Sequence, residues 1–410
     1  RRVLFRSPLL PRLPALPRMR REPLPSPLMP LSAVFHTDSL QEQVAALGDA
    51  FAIAGEFLHC DTINSGHINM TFRATYRKMD GTTDRYIFQR VNDAVFPCPR
   101  DVMHNVEKVT NHIRWKMLRV LKTPFRQTLN LYSARGGRKY LEIPGSGFWR
   151  CYNCIESTHT FDVAEHPRQA YEAARAFGAF QQLLCDMNPE DIHETIPFFH
   201  HTRKRFDRLQ KAAARDSRGR LDSCRRELDF IRRRERYVDV LLDLQERGEL
   251  PVRIVHNDTK INNVMLDRET DKAVCVIDLD TVMPGSILYD FGDMVRTMTS
   301  PAAEDEEDLD KTYLRMPMFE AVVKGYLDAV KDFITPQEIS KLAFSGLLIT
   351  LETGIRFLTD YLEGDVYFKT ERERHNLHRA RTQLKLVESM EQQMPEMEEC
   401  IRKCFHAVNG

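Results

Sequence analysis

Residues 252–296 read VRIVHNDTKINNVMLDRETDKAVCVIDLDTVMPGSILYDFGDMVR. Two apolar strands are legible in this stretch, Val252 to Val255 and Ala273 to Ile277, with a shorter one, Val264-Met265-Leu266, between them. The first runs into His256-Asn257-Asp258-Thr259-Lys260-Ile261-Asn262-Asn263 and the second into Asp278-Leu279-Asp280. Asp267 to Asp271 is a polar turn. Strand ends project side chains into a common cleft, so Asp258, Lys260, Asn263 and Asp278 are expected to converge. The residue types suit phosphoryl transfer. That reaction needs a carboxylate for the attacking hydroxyl, oxygen ligands for Mg²⁺ and a cation near the γ-phosphate. Asp258 is then the base, Asn263 and Asp278 hold the metal, and Lys260 meets the phosphate. An isolated H-x-D is explained as well by a buried polar turn whose side chains cap backbone groups. The full H-x-D-x-K-x-x-N spacing, followed by an apolar strand that ends in Ile-Asp, is far more specific.

These motifs resemble the catalytic and metal-binding loops of the aminoglycoside phosphotransferase and choline kinase superfamily. More narrowly, HNDTKINN, VIDLDTVMPG and YDFGDMVRT resemble the N-acetylhexosamine 1-kinases, over roughly residues 33–395. The resemblance implies a protein-kinase-like, bilobal α+β fold with a small antiparallel-sheet N-lobe and a larger, mainly helical C-lobe. It also implies ATP and Mg²⁺ as cofactors, and transfer of phosphate to the anomeric hydroxyl of N-acetylglucosamine or N-acetylgalactosamine. Two alternatives stand beside it: a kinase of another small alcohol (choline, homoserine or an aminoglycoside), and a catalytically inactive nucleotide-binding scaffold. An amine substrate calls for an acidic or aromatic pocket, and a scaffold has no need of Asp258, Asn263 and Asp278 together.

Composition bounds the reading. The 410 residues suffice for two lobes, each with a core. Acidic and basic side chains balance at 59 each, which argues against a nucleic-acid partner. No apolar run of 18 residues is visible, so no membrane-spanning helix is expected. Nine scattered cysteines suggest free thiols in a reducing cytoplasm. Cys151-Tyr152-Asn153-Cys154 lacks a second pair and lies on an expected strand, which argues against zinc or redox chemistry.

Residues 1–31 are rich in Pro and Arg and are expected to be a disordered tail, whether native, a targeting segment or an artefact. The N-lobe is expected over 32–156. A helix is expected over 38–55, with Leu40, Val44, Leu47 and Phe51 on one face. Ile63 to Arg73 then reads as a hairpin turning at Ser65-Gly66-His67. Alone this is an ordinary hairpin. Its place ahead of the other kinase parts makes Ser65, Gly66, His67 and Asn69 candidate nucleotide-binding residues, through backbone N–H groups at the tip. The N-acetylhexosamine 1-kinases show a similar N-S-G-x-x-N turn. The strand Tyr86 to Asn92 carries Arg90 where a kinase carries its phosphate-binding lysine, and Glu107 on the helix from Pro99 to Met117 is its candidate partner. A rim cation on an edge strand is the other account of Arg90. Two strands around Pro144-Gly145-Ser146-Gly147 lead to Glu156, where the lobes are expected to meet.

The C-lobe is expected over 157–410. Helices are expected over His166 to Met187, twice within 201–248, and over Tyr313 to Phe333, Pro336 to Tyr361 and Asn376 to Met394. The arginines of 225–236 are interleaved with acids and read as a solvated helix face. Asp290 is expected to brace the catalytic loop, Asp280 to be a second metal or substrate ligand, and Glu304 to Asp308 to form a mobile acidic loop. Arg356 and Asp360 are an i,i+4 pair. They read either as an internal salt bridge or, as the resemblance implies, as part of the sugar pocket, with His375, Asn376 and Arg379 near by.

Overall fold

The computed structural model describes residues 39–63, 68–120 and 128–409. The tail 1–31 and the hairpin tip with Ser65, Gly66 and His67 lie outside the described residues. The N-terminal part is a five-stranded antiparallel sheet in the order β1-β2-β3-β5-β4. Its strands are β1 (Glu56–Ile63), β2 (Met70–Arg77), β3 (Thr83–Val91), β4 (Leu141–Ile143) and β5 (Gly147–Asn153). Helix α1 (Leu40–Ala50) precedes it, capped by the Ser39 hydroxyl on the Glu42 N–H. Helix α2 (Pro99–Val120) follows β3.

Strand alternation sends successive side chains to opposite faces of this sheet. Phe72, Ala74, Tyr86, Phe88, Trp149 and Cys151 face α1 and bury Val44, Leu47 and Phe51. Ile87, Val91 and Tyr152 face the other way, against Val102, Val106 and Val109 of α2 and the apolar residues of the second half of the chain. Gln89 and Arg150 are cross-strand partners on that second face, where the two halves of the molecule meet.

The remainder is mainly helical, with two small sheets that carry the segments 256–263 and 278–280. The three-stranded sheet has the order β6-β8-β9: β6 (Thr158–His159), β8 (Val264–Asp267) and β9 (Ala273–Val276). The two-stranded one pairs β7 (Arg253–Val255) with β10 (Met283–Gly285). Around them pack α3 (Pro167–Leu184), α4 (Thr202–Arg215), α5 (Arg225–Arg232), α6 (Val240–Glu246), α7 (Ile287–Met298), α8 (Met316–Val330), α9 (Pro336–Glu363) and α10 (His375–Asn409). The stretch 201–248 thus forms three helices, not two, because short 3₁₀ turns at Leu221–Cys224 and Glu235–Tyr237 break the periodicity. Strands β6 and β10 are too short to leave a pattern in the sequence. The sheet N-terminally and the helices C-terminally make up a protein-kinase-like α+β fold.

Helix α9 corrects the hydropathy reading. Over 18 residues it is apolar enough to cross a membrane by composition, but 89% of that window is buried inside the fold. It begins with a Thr335/Glu338 capping box and Pro336, and ends on Gly364 at φ 104°. Its neighbours approach closely through glycine: a Cβ on Gly292 of α7 would sit 2.5 Å from the Ser345 carbonyl oxygen and 2.7 Å from Ile349 Cγ1. Cys151 is buried in the sheet core, and all nine cysteines are free. The arginines of 203–234 are largely paired, Arg203 with Glu235 and Asp239, and Arg234 with Glu391.

Candidate active site

The loop after β7 is held by buried hydrogen bonds to α7. Asp290, fully buried, accepts the His256 N–H at 2.9 Å, the Asn257 N–H at 2.6 Å and Gln181 Nε2 at 2.7 Å. Burial raises its pKa, and these donors oppose the shift. Thr259 adds a hydroxyl bond to the Asp290 carbonyl, and its N–H reaches Asp293 Oδ2 at 2.9 Å. Asp290 therefore braces the loop from below, with Asp293 beside it one helical turn on. Asn257 takes the left-handed conformation, φ 64°, a cost Asn tolerates better than most residues. It donates from Nδ2 to the Thr281 carbonyl.

His256 joins the two loops. The Asp258 N–H donates to its Nδ1 at 3.3 Å, so Nε2 carries the proton and donates to the Ile277 carbonyl at 2.9 Å. The ring is packed edge-on against Phe177 and Phe180. The Ile277 N–H bonds the Asn263 carbonyl. The positions of Asp258, Asn263 and Asp278 are therefore fixed relative to one another by contacts to the backbone.

The side chains that the spacing brings together do meet. Lys260 Nζ lies 3.2 Å from Asp258 Oδ2. Asn263 Nδ2 donates to the same oxygen at 3.0 Å and to the Asp258 carbonyl at 2.8 Å, and among the described residues no donor reaches its Oδ1. Desolvation works to raise the Asp258 pKa, but Lys260, His256 and Asn263 outweigh it and hold the carboxyl below its ordinary value. Asp258 in turn raises the Lys260 pKa. Asp278 behaves differently. Among the described residues no hydrogen bond or ion pair reaches its carboxylate. Burial first, then the charges of Asp280 and Asp258, push its pKa up to about 6. It also holds the left-handed conformation, φ 60°. Three carboxylates crowd here. Asp258 has Lys260, Asp280 has Arg150, and Asp278 is left with negative charge that a bound cation would offset. With the free oxygen of Asn263, this donor set fits a hard cation with oxygen ligands.

Other assignments need correction. Asp280 is 2% exposed and both its oxygens are taken, by the Arg150 guanidinium and by Asn69 Nδ2 at 2.7 Å, so it is not a free metal or substrate ligand. Arg90 projects from the α1 face of β3, over Gly147, where a Cβ would sit 3.0 Å from its Nε. Strand parity turns it away from the catalytic loops, and no ion pair joins it to Glu107 among the described residues. From α2, Asn105 reaches the segment that follows Asp280. It exchanges two hydrogen bonds with His193 and donates to the Val282 carbonyl at 3.0 Å. Asp360 does not pair with Arg356. Its two oxygens accept the N–H groups of Val366, Tyr367 and Phe368 and the Asn376 amide, fastening the chain after α9. Asn376 also reaches Asp365, Arg379 donates to the Lys369 carbonyl, and His375 bonds Asp305 at 3.0 Å. The acidic loop is accordingly pinned: Arg296 holds Glu304, and Arg372 holds Asp305 and Glu307. Arg150 and Asn105 were missed. A lone arginine in the apolar run GFWRCYN was the available signal for the first.

Arg356 has a different setting. Its guanidinium lies 5.0 Å from the Phe199 ring and 5.6 Å from that of Phe368. With Arg205, Arg208, Asp360, Glu363 and Tyr367 it lines a small cleft, about 40 Å³ in volume, between α4, α9 and the following turn. A wall of contacts leads from there toward the catalytic loop. His200 follows Phe199, its ring is 5.0 Å from that of Tyr289, and Tyr289 and Asn257 flank Gly285.

A sheet domain stacked on helices, with a braced H-x-D loop facing a second carboxylate turn, is the architecture of phosphoryl-transfer enzymes. The chain belongs to the phosphotransferase enzyme family, whose model matches residues 59–321. Solved structures agree in fold. An aminoglycoside phosphotransferase from Alicyclobacillus acidocaldarius superposes with TM-score 0.56 at 13% identity, over 91% of this chain and 98% of its own. A microcompartment-associated aminopropanol kinase gives 0.51 at 14% identity, over 87% and 98%. A spectinomycin phosphotransferase, solved with ADP and spectinomycin, gives 0.50 at 10% identity, over 87% and 100%.

Proposed function

We propose that this chain is an ATP- and Mg²⁺-dependent kinase of a small molecule, and that its acceptor is the anomeric hydroxyl of an N-acetylhexosamine. The observation that carries the first part is the Asp258–Lys260–Asn263 cluster beside the unpaired Asp278. Asp258 accepts the hydrogen bond of the attacking hydroxyl and orients it. Lys260 stabilises charge on the transferring group. Asn263 Oδ1 and Asp278 would hold Mg²⁺, which offsets phosphate charge when bound. Catalysis by these groups is chiefly positioning.

The sugar assignment is supported by the resemblance of the catalytic motifs and by the cavity around Arg356. Three guanidinium groups, Arg205, Arg208 and Arg356, line it. Arg208 is paired with Glu363, whereas Arg205 donates only to the Phe199 carbonyl among the described residues, and its pKa is lowered by burial and by Arg356. The lining also holds Asp360 and Glu363, but their carboxylates are taken by backbone N–H groups and by Arg208, so the remaining charge disfavours a cationic acceptor such as choline and suits a neutral, hydroxyl-rich ring. The test is ADP release with Mg·ATP on N-acetylglucosamine, N-acetylgalactosamine, glucose, choline, homoserine, aminopropanol and spectinomycin. Turnover is expected with the N-acetylhexosamines, with phosphorus NMR placing the phosphate on C1. Arg356→Ala should raise the sugar KM by about tenfold, the loss of one charge-assisted hydrogen bond. Turnover confined to the amines would overturn the sugar assignment.

Asp278 sets a pH expectation. Its folded pKa of about 6 lies above the ordinary 3.8. The proton is therefore held more tightly in the folded protein, and a cation must displace it at low pH. Mg²⁺ affinity, measured by calorimetry in the absence of sugar, should be flat above pH 7. Below pH 6 it should fall by about tenfold per unit.

A further inference from the structure

A kinase sheet ordinarily carries a lysine on its third strand, fixed by a glutamate on the following helix, and both must be in place for activity. Among the described residues no lysine of β3 pairs with a glutamate of α2. The β3 side chains on the face toward the helical half are Arg85, Ile87, Gln89 and Val91, of which Arg85 is exposed and pairs with Glu156 after β5, while Arg90 lies on the other face. The buried cation on that face is one strand over. Arg150 of β5 is 1% exposed and sits directly across from Gln89. Its Nε and Nη2 donate to Gln89 Oε1 at 3.1 and 2.8 Å, and its Nη1 donates to Asp280. Its guanidinium lies 5.0 Å from the Tyr152 ring. The second Asp280 oxygen accepts Asn69 Nδ2, and Asn69 Oδ1 accepts the Asn92 N–H at 3.0 Å. A single carboxylate from the helical half thus receives donors from β5 and from the residue preceding β2.

We propose that Arg150, Asp280 and Asn69 form the lobe-coupling latch of this protein, replacing the strand-lysine and helix-glutamate pair with its charges relocated. The cation is on β5, and the carboxylate is on the turn that carries Asp278. All three are positioning residues. Arg150 neutralises Asp280, so that Asp278 alone keeps charge for a cation. The shared bonds hold the strained 278–280 turn in register with the sheet. Asn69, just before β2, ties the sheet to the same carboxylate. The latch rests on the phosphotransferase reading of Asp258 and Asp278, but not on the sugar assignment.

The test is calorimetric Mg·ADP binding by the full chain, with Mg²⁺ titrated at fixed ADP and thermal midpoints recorded in parallel. Asn69→Ala touches little of the core and should keep the wild-type midpoint while weakening Mg·ADP by about tenfold, the loss of one hydrogen bond to a charged group. Arg150→Lys should retain part of the affinity and Arg150→Met much less. Asp280→Asn added to Arg150→Met should cost no further affinity, because the pair acts as a unit. Where kinetics are available, the KM for ATP should rise more than the KM for acceptor. Wild-type Mg·ADP affinity in both Asn69→Ala and Arg150→Lys would overturn the latch alone. Absence of Mg·ADP binding by the wild type would overturn the phosphotransferase reading and the latch with it.

Discussion

Asp258→Asn should lower turnover by about a thousandfold, within the range for loss of a positioned general base. The substitution is nearly isosteric. It keeps an acceptor for Asn263 Nδ2 and leaves the brace from Asp290 untouched, since that brace acts on backbone N–H groups. The thermal midpoint should therefore change little. What disappears is the charge that Lys260 faces at 3.2 Å, and with it the ability to accept a proton from an attacking hydroxyl. Asp278 and Asp293 remain near Lys260, so the lysine keeps its charge. Mg·ADP binding measured beside turnover separates the outcomes. Retained nucleotide binding with lost turnover supports the assigned role. Retained turnover would remove Asp258 from it.

Gly292→Ala should destabilise the fold by about 3 kcal/mol, at the upper end of ordinary overpacking. The added methyl meets the Ser345 backbone carbonyl at 2.5 Å, and backbone cannot rotate away as a side chain does. Helix α7 must shift from α9. Asp290 and Asp293 lie two residues before and one after Gly292, so the braces on His256, Asn257 and Thr259 shift with it. Denaturant unfolding should show the loss of stability, and the folded fraction should show reduced kcat. Unchanged stability would mean that the helices are less tightly fixed than this contact requires.

The parts legible in the sequence are those in which chemistry and spacing coincide. HNDTKINN and VIDLD encode the meeting of Asp258, Lys260, Asn263 and Asp278 because strand ends fix where the following side chains point. The helices with regular apolar spacing, such as α3 and α9, were visible for the same reason. Arg90 was misread because a strand offers two faces, and sequence period alone does not say which one meets the other lobe; that required the pairing of Arg90 with Met70 and Trp149. The salt-bridge reading of Arg356 and Asp360 fails because three backbone N–H groups from the turn after α9 compete for that carboxylate, although both residues line the same cleft. Arg150 and Asp280 are 130 residues apart, and nothing local in either segment signals the other.

The backbone at Asp278 has a consequence for engineering. A left-handed aspartate beside two like charges is a place where glycine or asparagine would relieve strain and repulsion at once. A library screened only for heat resistance, without nucleotide or acceptor present, would therefore enrich replacements at 278. Such a screen would yield sturdier proteins that have lost the carboxylate proposed to hold the metal. Stabilisation campaigns on this scaffold should hold that codon fixed, or select with Mg·ADP bound, so that thermal gain and function are not traded unknowingly.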